Sequence, residues 1–527
     1  MQPVSASERP LTKKERLKNF AVNNGRTTAC LIVYMGINVF VFLLTYVRYR
    51  TGKNKQVYAL LGEGVTIARG AAAMLNFNCS MLLLPVCRNL LTRLRATFVH
   101  SIIPLDLNIE FHKFCAWLIA VSVAMHATAH YFNYDTLGDQ TKDSSHTLAF
   151  GTVAGSTGHI ITMCMVLIYT TALEKVRRQC FELFWYTHHL FVIFFGLLII
   201  HGTPSSLQPN QFWGWFLLPG FLYCLERALR VVRGNFDTQI AHIIQHPSSV
   251  IEIQLIKPSF RMVAGQYIFL NCPSIARYEW HPFTLTSAPQ EETCSVHVRV
   301  VGDWTRALAA RLGLSWDKSG VPIDSEVADA YGLSFRIDGP FGSASEDVYD
   351  YEVAVLVGAG IGVTPFASIL KDLWYRVMDV GSMRLSKVYF IWTCRDKSAF
   401  EWFADILAAL EQEALGDLLE INVFLTAKLS LDEAREIVYA EAGHGGSAGG
   451  GDVITGLQSP TYYGRPDFEG LLRRYADRHR TQPPAPPGTI GIFLCGPAVI
   501  ASKLRYLANI LTDVTSGIQL VFNKENF

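Results

Sequence analysis

The segment FHKFCAWLIAVSVAMHATAH, residues 111 to 130, sets His112, His126 and His130 in a run otherwise apolar enough to cross a bilayer. A second apolar run, WYTHHLFVIFFGLLIIHG from residue 185, holds His188, His189 and His201. On a helix rising ~1.5 Å per residue, His112 and His126 return to nearly one face about 21 Å apart in depth, and His188 and His201 span about 20 Å. If both helices run outward, His112 matches His188 in depth near the cytosol, and His126 matches His201 near the outer face. Two imidazoles facing across a bundle are what bis-histidine haem ligation requires, and two such pairs make a two-step electron wire. The competing reading is that each imidazole is only hydrogen-bonded inside the bundle. Two features strain the haem reading. On a straight helix His201 lies about 140° from the face of His188, so a tightened turn or a tilt is required, and His189 competes with His188 as ligand. The ~20 Å separation argues against one shared metal ion bound directly by all of them.

Arg69, in TIARGAAAML, is a second polar group in hydrocarbon. A cation there would neutralise haem propionates or draw an anionic product, or it would serve as a structural partner for a carbonyl or an acid. His130, one turn beyond His126, either lines the outer pocket or only reaches the interface.

These side chains need a membrane bundle to hold them, and the composition agrees. Half of the 527 residues are hydrophobic, 17% are charged, and mean hydropathy is +0.22. Lys and Arg number 46 against 45 Asp and Glu, so no global basic field points to nucleic acid. The eleven cysteines contain no CxxC pair, which disfavours a zinc ribbon or a disulfide framework. Six apolar segments, at about 28–47, 61–86, 111–131, 151–173, 180–202 and 211–228, read as membrane helices, the fourth and sixth being short or broken by Gly and Pro. With the basic residues 1–27 inside, the inner segments carry fifteen Lys/Arg and the outer loops five, so the C-terminal half is expected in the cytosol.

Beyond residue 235 the texture changes. Short β-rich runs (IEIQLIKP, GQYIFLNCP, FTLTSAP, CSVHVRVVG, SFRIDGPFG) read as a small antiparallel barrel. After residue 350, the strands EVAVLVGAG, KVYFIWTCR, EINVFLTA and TIGIFLCGP alternate with helical stretches, the pattern of a parallel doubly wound sheet. GHGGSAGGGD, residues 443 to 452, reads as a flexible loop, and no EF-hand motif is present. The run VLVGAGIGVTPFASIL is a strand, then Gly358, Gly360 and Gly362, then a helix opening on Thr364 and Pro365. Glycines let a backbone approach a pyrophosphate, and a helix N terminus offers N–H donors to it. The spacing is GxGxG rather than GxGxxG. LCGP, with Cys495, Gly496 and Pro497, supplies the second lip of a ferredoxin-reductase-like nucleotide site. Arg395, after its strand and beside Asp396, is a candidate partner for a 2′-phosphate, which would select NADPH over NADH; the alternative is a surface arginine.

WHPFTLTSAP, HVRVVGDWT, GPFG, GAGIGVTPFASIL, LCGP and the terminal NKENF, in this order, together with LNFNC and LLLPVCRN upstream, resemble the NADPH oxidase family, most closely its phagocyte-type branch. The resemblance spans nearly the whole chain. It implies a flavin site of His281, Pro282, Phe283, Thr284 and Ser287, with Arg299 facing phosphate and Gly339 and Gly342 in GPFG nearby. It also matches Arg465 to the position that reaches the 2′-phosphate of NADPH, and it makes the terminal Phe527 a cover for the flavin. The implied chain is a six-helix transmembrane haem bundle (28–230) after a cytosolic tail (1–27), an FAD-binding barrel (235–342) and an NADPH-binding α/β domain (350–527). Its cofactors would be FAD, two b-type haems and NADPH; its metal ligands His112, His188, His126 and His201; and its site for oxygen would lie beside Arg69 and His130. NADPH and O2 are then the substrates, and superoxide formed by outer-sphere transfer is the expected product. A ferric-chelate reductase with the same wiring is the alternative, and a proton channel or haem scaffold without turnover the remote one. The phagocyte-like branch implies cytosolic regulators including a Rac-type GTPase, a small membrane partner protein, and residence in the plasma membrane or an endomembrane.

Overall fold

The computed structural model describes residues 12–525, apart from 53, 142–143, 204–208, 237, 259, 315–321, 325–331, 380–382, 396–399, 413–416, 428–434, 436–451, 453, 482–487 and 515–516. Asp396, Phe527 and most of the Gly-rich stretch at 443–452 therefore lie outside the described residues. The chain divides into two compact units. One is Arg26–Ala228; the other joins Met1–Gly25 to Leu229–Phe527.

The first unit is helical. Among the described residues, five stretches are long and apolar enough to cross a membrane: Lys13–Thr51, Glu63–Val86, Leu105–Thr141, Val153–Ala172 and Phe181–Ile200. Within them run helices α1 (Lys13–Thr51), α2 (Glu63–Met81), α3 (Asn108–Thr141), α4 (Val153–Ala172), α5 (Phe181–His188) and α6 (Phe191–Ile200). The fourth span, which reads as short, is a full 20-residue helix. The sixth apolar segment forms α7 (Phe212–Gly234), whose residues from Leu229 belong to the second unit, with Pro219 inside it and Glu226, Arg227, Arg230 and Arg233 in its second half. Those charges keep it from matching the other five. Burial is inverted relative to a water-soluble bundle. Ile32, Phe40, Trp117, Met163 and Val192 are exposed, while Ser122, Thr157 and Asn78 are buried. Apolar side chains gain nothing by leaving lipid, so the helices meet through small and polar residues.

In the second unit, β1 (Gln239–His246), β2 (Val250–Ile256), β3 (Tyr267–Asn271), β4 (His281–Thr284), β5 (Cys294–Arg299), β6 (Pro322–Asp324) and β7 (Arg336–Phe341) pair antiparallel. The expected barrel takes the form of two sheets, ordered β5-β2-β1-β6 and β4-β3-β7, joined by a bridge between Leu285 and Val296. Alternate residues of both sheets, including Ile243, Ile253, Ile268, Val296 and Ile337, fill one core. Strands β8 (Val353–Ala359), β9 (Lys387–Cys394), β10 (Leu419–Leu425), β11 (Thr461–Tyr463), β12 (Gly488–Cys495) and β13 (Ile518–Lys524) form a wholly parallel sheet in the order β11-β10-β9-β8-β12-β13. The near-continuous apolar runs of β8, β9 and β12 reflect burial on both faces, which crossover helices such as α8 (Thr364–Met378) and α9 (Ala498–Leu511) provide.

Candidate functional site

In the helical unit the imidazoles meet as their depths require. The rings of His112 and His188 have centroids 6.4 Å apart, and those of His126 and His201 are 6.3 Å apart. Three of the four have the ring nitrogen facing away from the partner ring already engaged. His112 Nδ1 lies 3.0 Å from the Leu82 carbonyl, His126 Nδ1 3.0 Å from the Ala68 carbonyl, and His201 Nδ1 2.9 Å from Thr157 Oγ1. His188 Nδ1 is buried without a partner. An imidazole whose Nδ1 is bonded to a neighbour offers Nε2 as its ligand atom. Two metal–nitrogen bonds of about 2 Å, plus the two ring radii, account for such a centroid spacing. The donor set and its spacing thus fit an iron held between each pair.

The break between α5 and α6 resolves the angular difficulty. Residues 189 and 190 form a turn between the two helices, and His201 lies one residue past the end of α6 with extended backbone. The ligand-bearing stretch is therefore not one straight helix, and both of its histidines can face α3. Asn210 holds that end, its Nδ2 donating to the carbonyls of Ile199 at 2.8 Å and His201 at 2.7 Å. His189 is exposed, with Nδ1 on the Trp185 carbonyl, and it stands against Trp185 and not His112. His130 packs edge-on to His126 at 4.6 Å. Arg69 has its guanidinium 5.6 Å from the Tyr49 ring and a buried Nε without a partner, and it lies within electrostatic reach of His126, His130 and His201. An unpaired cation beside a pair of metal-ready imidazoles suits the propionates or the anionic product that its position in the sequence called for.

In the other unit, His281, Pro282, Phe283 and Thr284 constitute β4, which pairs with β3. Trp304, within HVRVVGDWT, belongs to this site although its sequence context does not single it out. Its ring is 4.5 Å from His281 and 6.1 Å from Phe283, and its buried Nε1 has no acceptor. An orphaned indole N–H beside two rings suits a flat ligand carrying oxygen acceptors, as a flavin does. Ser287 is buried, its Oγ accepting from the Ser295 N–H at 3.1 Å. Gly339 lies within β7 and Gly342 just beyond its end, ahead of Ser343 and Ser345, which both donate to the buried Glu525. Glu525 belongs to NKENF, so the terminal motif is anchored two residues before Phe527.

The nucleotide residues collect at the carboxyl ends of the parallel strands, where open α/β sheets bind their ligands. Gly358 is the penultimate residue of β8, Gly360 turns with φ +57°, and α8 begins at Thr364 and Pro365. Arg299 of β5 reaches this turn, with a terminal nitrogen 3.8 Å from where a Cβ on Gly360 would stand. A Cβ on Gly362 would collide with the Cys495 carbonyl, and one on Gly496 would come within 2.9 Å of Ala359. The two lips therefore touch, and glycine is what lets them. Arg395 follows β9 and Arg465 follows β11, both exposed at the same edge of the sheet.

Three family models match in succession: a ferric reductase like transmembrane component over residues 69–199, an FAD-binding domain over 235–345, and a ferric reductase NAD binding domain over 351–509. A superoxide-generating NADPH oxidase heavy chain of Dictyostelium discoideum is 41% identical, over 98% of this chain and 100% of its own length. The chain belongs to the NADPH oxidase family. NADPH oxidase 1 of Mus musculus is 37% identical over 97% of this chain and 95% of its own, and NADPH oxidase 3 of Homo sapiens 35% identical over 96% and 99%. This oxidase-family chain is accordingly a membrane oxidoreductase with FAD and nicotinamide-nucleotide domains on one polypeptide.

Proposed function

We propose that this chain is a transmembrane NADPH oxidase that moves electrons from cytosolic NADPH to O2 on the far side of the membrane and releases superoxide. The observation that carries this reading is the pairing of His112 with His188 and of His126 with His201, ring centroids 6.4 and 6.3 Å apart, ahead of FAD and NAD domains. FAD and two b-type haems, when bound, supply hydride acceptance and one-electron relay across the bilayer. His112 and His188 hold the inner haem, and His126 and His201 the outer one. With both His126 and His201 committed to the outer haem, no protein position there would be left open for O2 on the metal, which supports outer-sphere reduction, and Arg69 and His130 would stand near the oxygen and its anionic product. His281, Phe283, Thr284, Ser287 and Trp304 seat the flavin, and Arg299 faces phosphate. Gly358, Gly360 and Gly362 would cradle the NADPH pyrophosphate, Arg395 and Arg465 would serve its 2′-phosphate, and Phe527, which lies outside the described residues, is the proposed cover for the flavin.

The domains are proposed as a membrane bundle over 28–230, a flavin domain over 235–342 and a nucleotide domain over 350–527. The Lys/Arg bias supports a cytosolic N terminus and dehydrogenase half. Resemblance to the phagocyte-type branch supports control by cytosolic proteins including a Rac-type GTPase, and a small membrane partner.

The test is the difference spectrum of membranes given NADPH and FAD, recorded with superoxide-dismutase-sensitive cytochrome c reduction. A b-type spectrum with sensitive reduction is expected, and His112→Leu should abolish haem reduction by NADPH while flavin stays bound. Signal only with a ferric chelate present would move the assignment to ferric reductase.

A further inference from the structure

On the flavin domain, away from its hydrophobic core, three strands bring together a set of side chains that the electron route does not use. His246 ends β1, Glu252 lies on β2, and His297 lies directly across from Glu252 on β5. Their neighbours Ile251, Ile253, Val296 and Val298 point into the core, so by strand alternation Glu252 and His297 share the opposite face. That face is nevertheless closed: the side chains of His246, Glu252 and His297 are 18%, 12% and 6% exposed.

We propose that His246, Glu252 and His297 form a binding site for one divalent ion of the zinc class. One ligand atom from each residue lies within 4.8 Å of the other two. Glu252 Oε2 stands 3.0 Å from His246 Nε2 and 3.6 Å from His297 Nε2. Ligands about 2.0–2.1 Å from a tetrahedral zinc are about 3.3 Å from each other, so both separations match an ion seated between these atoms. In two of the three residues the atom turned away from that point is already held. His297 Nδ1 lies 2.9 Å from Thr286 Oγ1, and Glu252 Oε1 accepts from Gln254 Nε2 at 2.8 Å. This is the outer-atom bonding that orients metal ligands.

Two histidines and a glutamate leave a fourth position for water, and the partial exposure of His246 gives the ion its way in. Lys371, whose charge reaches His297, is engaged by Glu291 at 3.1 Å. Through Thr286, which immediately precedes Ser287 of the flavin motif, an ion here would brace the turn between β4 and β5.

The experiment uses the full-length chain, carrying no histidine tag, purified in detergent with its FAD and haem, stripped by a chelator and dialysed against zinc chloride. One zinc per chain retained at submicromolar free zinc is expected, with an absorption edge showing nitrogen and oxygen ligands at about 2.0–2.1 Å. Glu252→Gln and His297→Gln should each weaken that equivalent at least tenfold, in the range metal sites lose with altered ligand support, while His479→Gln keeps it. Failure of the wild-type chain to retain zinc, or sulfur in the edge spectrum, overturns the proposal and leaves a metal-free hydrogen-bonded trio. So does undiminished binding in both ligand variants. The wild-type measurements decide alone should a variant lose its flavin.

Discussion

Arg230 Nε donates to Asp338 Oδ2 at 2.5 Å while Arg233 donates to Oδ1 of the same carboxylate, so two guanidiniums from the last turns of α7 share one acid of β7 whose side chain is 2% exposed. Phe269 and Phe341 flank the cations, with Arg230 5.4 Å from the first ring and Arg233 5.2 Å from the second. Removing one member of a buried pair leaves an uncompensated charge, at a cost of about 3–5 kcal/mol. Asp338→Asn should lower the thermal midpoint of the flavin domain and speed FAD release, both readable by flavin fluorescence. A midpoint equal to wild type would mean that the two arginines find other partners.

The adjacent histidines separate two assignments. His188 faces His112 across the bundle, whereas His189 is turned to Trp185. His188→Leu should therefore leave one haem per chain by pyridine haemochrome, and His189→Leu two. The reverse pattern would make His189 the ligand.

Contact between the nucleotide lips predicts a kinetic phenotype. A methyl on Gly362 meets the Cys495 carbonyl, and overpacking of this kind costs about 1–3 kcal/mol. In Gly362→Ala, kcat/KM for NADPH should fall roughly tenfold, the equivalent of about 1.4 kcal/mol, while dithionite still reduces the haems normally. Unchanged kcat/KM would show that the lips can part without consequence.

Acid should loosen the flavin domain through His281. Burial pushes this imidazole below its usual 6.5, although Glu279, 3.3 Å away, pulls in the other direction. The unfolded chain takes up a proton as pH falls through 6.5 and the folded chain does not, so the stabilisation is complete above 6.5 and is lost below it. The flavin-fluorescence melting point should drop between about pH 7 and pH 5.5, with a smaller drop in His281→Gln. Identical drops would assign the effect to other groups.

Much of the site could be read from spacing. The depths of His112, His126, His188 and His201 follow from a fixed rise per residue, and the structure brings those four together in the two expected pairs. Their facing could not be read, because it depends on a helix break at residues 189 and 190 that no proline or glycine marks. The same break turns His188 toward His112 and His189 toward Trp185, a difference that two adjacent histidines do not announce in sequence. Gly362 is conspicuous as a glycine, but its purpose is the carbonyl of Cys495, 133 positions later. Trp304 and the His246, Glu252 and His297 cluster escaped for a similar reason. Each looks like an ordinary strand or helix residue until strand pairing sets it against its neighbours. The two antiparallel sheets were legible as β structure from their alternation, but their order was not, since register between distant strands leaves no local mark.

The two histidine pairs are not supported alike. His112 and His126 sit inside α3, fastened by a ladder of amide bonds on either side, and His188 closes α5 with a hydrogen-bonded turn carrying the chain on into α6, whereas His201 hangs beyond the last turn of α6 on the side chains of Thr157 and Asn210. Fraying begins where the ladder stops. On warming, the His126–His201 end of the bundle should therefore come apart while the His112–His188 end is still intact, and a chain with the proposed electron route would lose its ability to pass electrons on before it loses its ability to accept them.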